Sequence, residues 1–360
     1  MKTIVLTGGG TAGHVTPHLA LLPSLINGGW QVHYLGTKNG IERGMMEARP
    51  GLEYHVIATG KLRRYFSWQN ITDPFRVIAG FFQAYRALGR IKPDIMFSKG
   101  GFVAVPAVAA AWLRGIPVLA HESDLTPGLA TRISARFAKK VAATFPECAA
   151  LLGSKGIYTG TPMRQELFSG SRERGLRLAG FAGEKPVLLM MGGSQGAQPV
   201  NQVLRAALPE LLAVMDVIHL CGRGKLDASM EGKPGYFQAE FLDSELPNVL
   251  AAADLVLSRA GATAIGEFLA LQKPMLLIPW PLGASRGDQI LNAENFAARG
   301  LAKVLRQEEM TPKSLIKALL TLKEDAAALK ETMRAAPKAD GSAAILRLIQ
   351  MLSGQAEEHA

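Results

Sequence analysis

Cysteine is nearly missing from this chain. Its 360 residues hold two, Cys148 and Cys221, far apart and in no metal-ligand spacing. That usage excludes a disulfide framework, suits a reducing compartment and leads us to expect no structural zinc. Long apolar runs are scarce as well. The longest, Phe102 to Leu113, stops at Arg114 and falls short of the roughly 20 residues that a membrane-spanning helix needs. The opening MKTIVLTGGG has too brief an apolar stretch for a signal peptide, so a chain that neither crosses nor is exported through a bilayer is expected. No Asp-x-Asp pair occurs anywhere, which removes the carboxylate clamp that often holds a divalent cation on a diphosphate. Acidic residues are sparse in the first half only. Residues 1–160 carry 18 Lys and Arg against 8 Asp and Glu, whereas residues 161–360 carry 22 against 22, so the whole net charge of +10 lies in one part. One lobe is therefore expected to meet something anionic.

What is present is an alternation of strands and helices, written twice. KTIVLT, WQVHYLG, DIMFS and PVLAHE read as strands separated by helical stretches, and the pattern restarts at Lys185 with KPVLLMMGGSQGAQPVNQVLRAAL. Strand-loop-helix alternation predicts parallel sheets covered on both faces. We expect an α/β protein of two doubly wound, Rossmann-like domains, at 1–162 and 163–340, with a hinge near Thr159 to Arg164. A last helix over 341–360 should pack near that hinge. Ligands of such sheets bind outside the carboxyl ends of the strands, which makes the edges of the two domains, facing each other across a cleft, the expected active site.

Three loops carry the chemistry. In VLTGGGTAGH, Gly8, Gly10 and Gly13 satisfy the glycine spacing of a dinucleotide loop. A ribose-binding acid should then follow the second strand, but that strand ends LGTKNG and the first acid, Glu42, lies beyond the turn. The loop reads instead as an anion or sugar-phosphate site, or simply as a tight turn. His14 follows its last glycine, where a neutral imidazole is suited to take a proton from a hydroxyl; capping or packing is the bland reading. The second loop, MMGGSQGAQ, offers Ser194 and nearby amides at a helix start for phosphate contact. The third stretch, residues 258–294, is the most specific. Small residues after Gly261 leave room for a diphosphate, Glu267 can accept from both hydroxyls of a ribose, and Asp288 and Gln289 are partners for sugar hydroxyls. With no cation clamp, a helix dipole and Arg164 are expected to neutralise the leaving diphosphate.

A basic, aromatic stretch covers Gly60 to Asn70 and continues into Asp73 to Arg90. There Phe75, Ile78, Phe82 and Tyr85 recur at helical spacing, among Arg76, Arg86 and Arg90. Such a helix either buries its apolar face in the core or lies on an anionic membrane. Nucleic acid is not expected, because no recognised binding motif accompanies the charge.

Taken in order, GGGTAGH, SKGGFVAVP, HESD, TGTPMR, GGSQGA and SRAGATAIGE with its downstream DQ resemble the motifs of the MurG glycosyltransferases. That family adds N-acetylglucosamine to lipid I in peptidoglycan synthesis. The resemblance runs from Ile4 to about Gly300. It implies a GT-B fold, with the lipid-linked acceptor on the N-terminal domain and UDP-N-acetylglucosamine on the C-terminal one. It also implies inverting transfer to the C4 hydroxyl of the muramoyl sugar, with UDP released, at the cytoplasmic side of the membrane; no cofactor is expected and, without an Asp-x-Asp clamp, no metal. Carried over residue by residue, Thr11, Ala12 and Gly13 match the loop near the donor sugar, and His14 the candidate general base. Arg164 and Ser194 match diphosphate contacts, and Leu242 the residue whose backbone reads uracil. Ala262, Thr263, Ala264, Ile265, Gly266 and Glu267 match the phosphate and ribose segment, and Gln289 a sugar-hydroxyl contact. Ala12 stands where many members have glycine, and Asp124 where many have asparagine. Glu122 is placed with His14 in catalysis and Asp124 with the substrate, either acid being available to assist His14. The basic lobe should face the lipid through Arg63, Arg64, Phe81 and Phe82. The alternatives are another GT-B enzyme, such as a diacylglycerol glycosyltransferase or a UDP-N-acetylglucosamine 2-epimerase, and a non-catalytic nucleotide-sugar sensor.

Overall fold

Thr3–Thr7 has no solvent-facing side: all five residues are buried, as expected of a strand covered on both faces. In the computed structural model, which describes residues 2–60, 69–193, 195–282, 287–337 and 340–354, this strand is β1 and lies inside a seven-stranded parallel sheet. Its partners are β2 (Gln31–Gly36), β3 (Leu52–Val56), β4 (Ile95–Ser98), β5 (Val118–Glu122), β6 (Lys140–Ala143) and β7 (Gly156–Tyr158). They stand in the order β3-β2-β1-β4-β5-β6-β7. The chain first winds outward from β1 through β2 to β3, then returns to β4 on the other side of β1. The order of strands therefore reverses between β1 and β4.

Alternation along the strands sends side chains to two cores. Ile4 and Leu6 join Val32 and Tyr34 on one face, against Leu21 and Leu25 of the helix Thr16–Asn27. Val5, Leu35 and Met96 face the other way, against Ala84 and Leu88 of Gln69–Ile91 and Ala107 and Ala111 of Ala104–Leu113. The last helix, Ser342–Leu352, inserts Ile345 and Ile349 into the first of these cores. It is held at its start by Gly341 N–H donating to Thr161 O at 2.8 Å and at its end by Lys2 Nζ donating to Ser353 O at 2.7 Å. One compact unit thus comprises residues 1–164 together with 340–360.

Residues 165–339 form the second unit. Its six parallel strands are β8 (Val187–Met191), β9 (Asp216–Leu220), β10 (Tyr236–Ala239), β11 (Leu255–Ser258), β12 (Met275–Leu277) and β13 (Lys303–Val304). Their order, β10-β9-β8-β11-β12-β13, has the same reversal, here between β8 and β11. Leu188, Met190, Val217, Leu255, Leu257 and Leu276 pack against Leu204 and Leu208 of Gln198–Leu211 and Leu315 and Leu319 of Pro312–Glu324. Among the described residues no helix is long and apolar enough to cross a membrane.

The basic helix corrects one expectation. Phe75, Ile78 and Phe82 are not core: they are 71%, 55% and 59% exposed. Phe81, expected with the lipid-facing group, is partly buried against the core instead. The reason is periodicity. Positions 81, 84 and 88 share the face that meets the sheet, and 75, 78 and 82 share another.

Candidate active site

In an open parallel sheet the crevice for a ligand lies where strand order reverses, at the carboxyl ends of the strands. For the first unit this brings the loop after β1, residues 8–14, beside the loop after β4, residues 99–103. The two loops nest backbone to backbone, which requires glycine. Gly10 has φ +85°, and a Cβ there would sit 2.5 Å from the Phe102 ring; Gly101 has φ +78°, and its Cβ would sit 2.4 Å from the Gly9 carbonyl oxygen. A Cβ on Gly101 would also lie 3.4 Å from His14 Nδ1, so the imidazole leans over the second loop.

The dinucleotide reading fails on a specific contact. The fully buried Glu42 turns its carboxylate into the first loop, where Oε2 accepts from Gly10 N–H at 3.2 Å and Oε1 from Thr37 N–H at 3.1 Å. An amide that a pyrophosphate would need is already occupied by an internal anion.

Thr11 and Gly13 are exposed, and Ala12 and His14 half-buried. Ala12–His14 form a single 3-10 turn ahead of the helix Thr16–Asn27, and the Thr11 hydroxyl lies 2.9 Å from His14 Nδ1. One helical turn further, His18 has the opposite environment. It is fully buried, its Nε2 lies 3.2 Å from Thr7 O, and burial, then the charge on Lys99, lower its pKa to about 3. His18 is a neutral core residue; His14, half-buried, reaches solvent.

The end of β5 supplies HESD. Glu122 is buried, and its carboxylate shapes the loop that follows. Oε1 accepts from Ser123 N–H at 2.8 Å and Asp124 N–H at 3.1 Å, while Oε2 accepts from Gly128 N–H at 2.9 Å. Burial by itself raises its pKa, but Lys99, Thr131 and the amides of Gly128 and Asp124 outweigh it and bring the carboxyl below its ordinary value. Lys99, only 2% exposed, donates to the Ser123 hydroxyl. Burial lowers its ammonium pKa, against the opposing pull of Glu122 and Asp124. Asp124 stands half-buried at the loop's outer end.

In the second unit, the reversal between β8 and β11 brings the loop at 192–197 beside the helix Ala262–Ala270, whose N-cap is Gly261. A Cβ on Gly193 or on Gly261 would meet no atom of the described residues within 4 Å. Gly196 is the reverse case. Its φ is +66° and a Cβ would overlap the Cys221 carbonyl, because the loop is pressed onto the end of β9. Beneath it, Asn201 Nδ2 donates to Cys221 O at 2.8 Å and Asn201 Oδ1 lies 3.1 Å from His219 Nε2. Burial, then Arg205, lower the His219 pKa to about 3. Along the helix, Ala262, Ile265, Gly266 and Glu267 are buried and Thr263 and Ala264 half-buried. Gln289 Oε1 accepts from Trp280 N–H at 3.1 Å, tying the start of Asp288–Ala298 to the loop after β12. Leu242 is half-buried in the loop after β10. Arg164 is half-buried at the boundary of the first unit. Ser194, Arg63 and Arg64 lie outside the described residues.

The glycosyltransferase family 28 N-terminal domain matches residues 4–143 and the family 28 C-terminal domain residues 187–347. The UDP-N-acetylglucosamine--N-acetylmuramyl-(pentapeptide) pyrophosphoryl-undecaprenol N-acetylglucosamine transferase 2 of Bacillus cereus is 52% identical over 354 residues, 98% of this chain and 99% of its own. The chain belongs to the MurG glycosyltransferases of family 28. A MurG crystal structure from Acinetobacter baumannii aligns with 98% of the chain and 100% of its own, at 27% identity and a TM-score of 0.74. A putative UDP-N-acetylglucosamine 2-epimerase from Listeria monocytogenes aligns at a TM-score of 0.69 over 100% of this chain and 98% of its own, but at 13% identity, which shows the fold alone. Glu42 and Lys99 are buried charged residues under the glycine loops; Lys99 stands inside SKGGFVAVP and Glu42 is the first acid after β2, but their places in the sequence gave neither of them a role.

Proposed function

We propose that this protein transfers N-acetylglucosamine from UDP-N-acetylglucosamine to the C4 hydroxyl of the muramoyl sugar of lipid I, giving lipid II and UDP with inversion. The observation that carries this reading is full-length identity of 52% to a transferase of that name, together with glycine loops at both strand-order reversals. His14 is the general base. With Nδ1–H donating to the Thr11 hydroxyl, Nε2 holds the lone pair that accepts the acceptor's hydroxyl proton. The freed oxygen attacks the anomeric carbon, the bond from that carbon to the diphosphate breaks, and UDP leaves from the opposite face. Amides at the start of Ala262–Ala270, with Arg164 and Ser194, take up the charge that grows on the diphosphate. Glu267 accepts from the ribose hydroxyls, Leu242 frames the uracil, and Gln289 meets the sugar.

The Glu122 carboxylate is committed to three backbone amides, which supports a positioning role in place of proton transfer. It presents Asp124 to the substrate. The protein works at the cytoplasmic face of the membrane, without spanning it. Phe75, Ile78 and Phe82 form an exposed apolar face with Arg86 next along it, a combination suited to an anionic lipid surface. The reading is tested by incubating the protein with UDP-N-acetylglucosamine and lipid I and analysing products. Disaccharide-linked lipid and UDP in equal amounts are expected. Free UDP-sugar isomerised without lipid, or sugar passed to diacylglycerol, would replace the reading.

A further inference from the structure

The edge of the first sheet holds a group of side chains that the transfer reaction does not use. Strands β2 and β3 run parallel with His33 opposite Glu53 and Leu35 opposite His55. Because side chains alternate along a strand, His33, Glu53 and His55 project from one face. Their donor atoms converge. His33 Nδ1 lies 3.0 Å from His55 Nε2 and 3.3 Å from Glu53 Oε2, and His55 Nε2 lies 3.6 Å from Glu53 Oε1.

An imidazole proton shared between the histidines, with an imidazolium paired to Glu53, would hold these groups together; a metal ion is the alternative in which all three side chains act as lone-pair donors at once. The dimensions agree with a metal. One donor atom from each side chain lies within 4.8 Å of the other two, and His33 Nδ1 stands 3.0 Å from His55 Nε2 and 3.3 Å from Glu53 Oε2, against roughly 3.3 to 3.6 Å between ligand atoms of a tetrahedral site with bonds of about 2.0 to 2.2 Å.

We propose that His33, His55 and Glu53 form a binding site for one divalent transition-metal ion of the zinc class, clamping edge strand β3 to β2. Two imidazoles and a carboxylate suit zinc, nickel or copper and not magnesium or calcium, which prefer all-oxygen sets. The fourth position belongs to water. His33 anchors the site from within the sheet, its side chain 5% exposed, while Glu53, 65% exposed, opens it to solvent. The neighbouring cation Arg90 lies on the exposed side of its helix, so solvent screens most of its repulsion. None of the three residues belongs to the glycine loops or to the assigned transfer machinery, and the site does not depend on the proposed reaction.

The test uses the full-length, untagged protein, stripped with a chelator and titrated calorimetrically with zinc chloride. One equivalent is expected to bind with a dissociation constant in the micromolar range or below, and to raise the unfolding temperature. Cobalt in its place should give the visible absorption bands of a four-coordinate ion. Glu53→Gln, an exposed change that spares folding, should weaken zinc at least tenfold, and His55→Gln should abolish the event and the cobalt bands. Absence of uptake by the wild type, uptake that His55→Gln and Glu53→Gln leave unaltered, or equal affinity for magnesium would each overturn the proposal.

Discussion

Two histidines one helical turn apart, His14 and His18, show how a residue's surroundings decide its use. The first is half-buried beside a hydroxyl at the loop tip; the second is sealed among Tyr34, Phe97 and the β1 backbone. His14→Ala should therefore lower turnover by about 100-fold or more, the usual scale of general-base catalysis, with UDP binding by calorimetry little changed. Turnover at the wild-type level would remove His14 from that role. His18 and His219 instead govern stability against acid. Each has a folded pKa of about 3, far below the ordinary 6.5, because burial disfavours the charged ring. The unfolded chain gains protons below 6.5 that the folded one refuses, so this contribution is intact above 6.5 and is lost as pH falls from there toward 3. The loss is about 1.4 kcal/mol per pH unit for each histidine. Urea midpoints should drop steadily between pH 6.5 and 5, and a flat profile there would refute the account. His14 was legible from its place after the last glycine, whereas Lys99 and Glu42 were not, since a buried charge is recognisable only once its partners are placed.

At the scale of elements, burial and exposure are divided along single helices. The C-terminal helix Ser342–Leu352 belongs to the first core although more than 170 residues separate it from the rest of that unit. Ile345→Ala or Ile349→Ala should cost roughly 2 to 5 kcal/mol, the range for large-to-small changes in a packed core. The loss should appear as faster amide exchange in β1 and β4, with the strands of the second unit unaffected. The helix Gln69–Ile91 makes the opposite case. Replacing Phe75, Ile78 and Phe82 together by serine removes no buried side chain and only the edge contact of Phe82 on Phe81, so the melting temperature should change little while sedimentation with anionic vesicles falls. Sedimentation equal to the wild type would move the lipid contact elsewhere. Strands such as DIMFS and PVLAHE were readable as apolar runs, but β3 (LEYHV), β6, β7 and β13 were not. LEYHV mixes a glutamate and a histidine into an edge strand, and the others, KVAA, GIY and KV, are short and mix lysine, glycine or alanine with their few β-branched or aromatic residues, so no apolar run stands out.

Over the whole molecule the charge is the clearest long-range feature. Its entire excess of +10 sits in residues 1–160, so attraction to anionic vesicles should weaken as sodium chloride rises from 50 to several hundred millimolar, roughly as the screening length shrinks below 10 Å. Binding that is indifferent to salt would assign the contact to apolar burial alone. The expected absence of structural zinc followed from counting cysteines, and the proposed His33–Glu53–His55 site departs from it because histidine and glutamate from neighbouring strands leave no spacing to count. The sequence by itself determined the class of fold, its duplication, the glycine loops and the family, since each depends on local periodicity or on residues close in the chain. Only the tertiary structure decided which histidine is reachable, which face of the basic helix is bare, where the last helix docks and what converges at the sheet edge. Those properties arise from contacts between distant segments, and burial and charge take their values only when such segments meet.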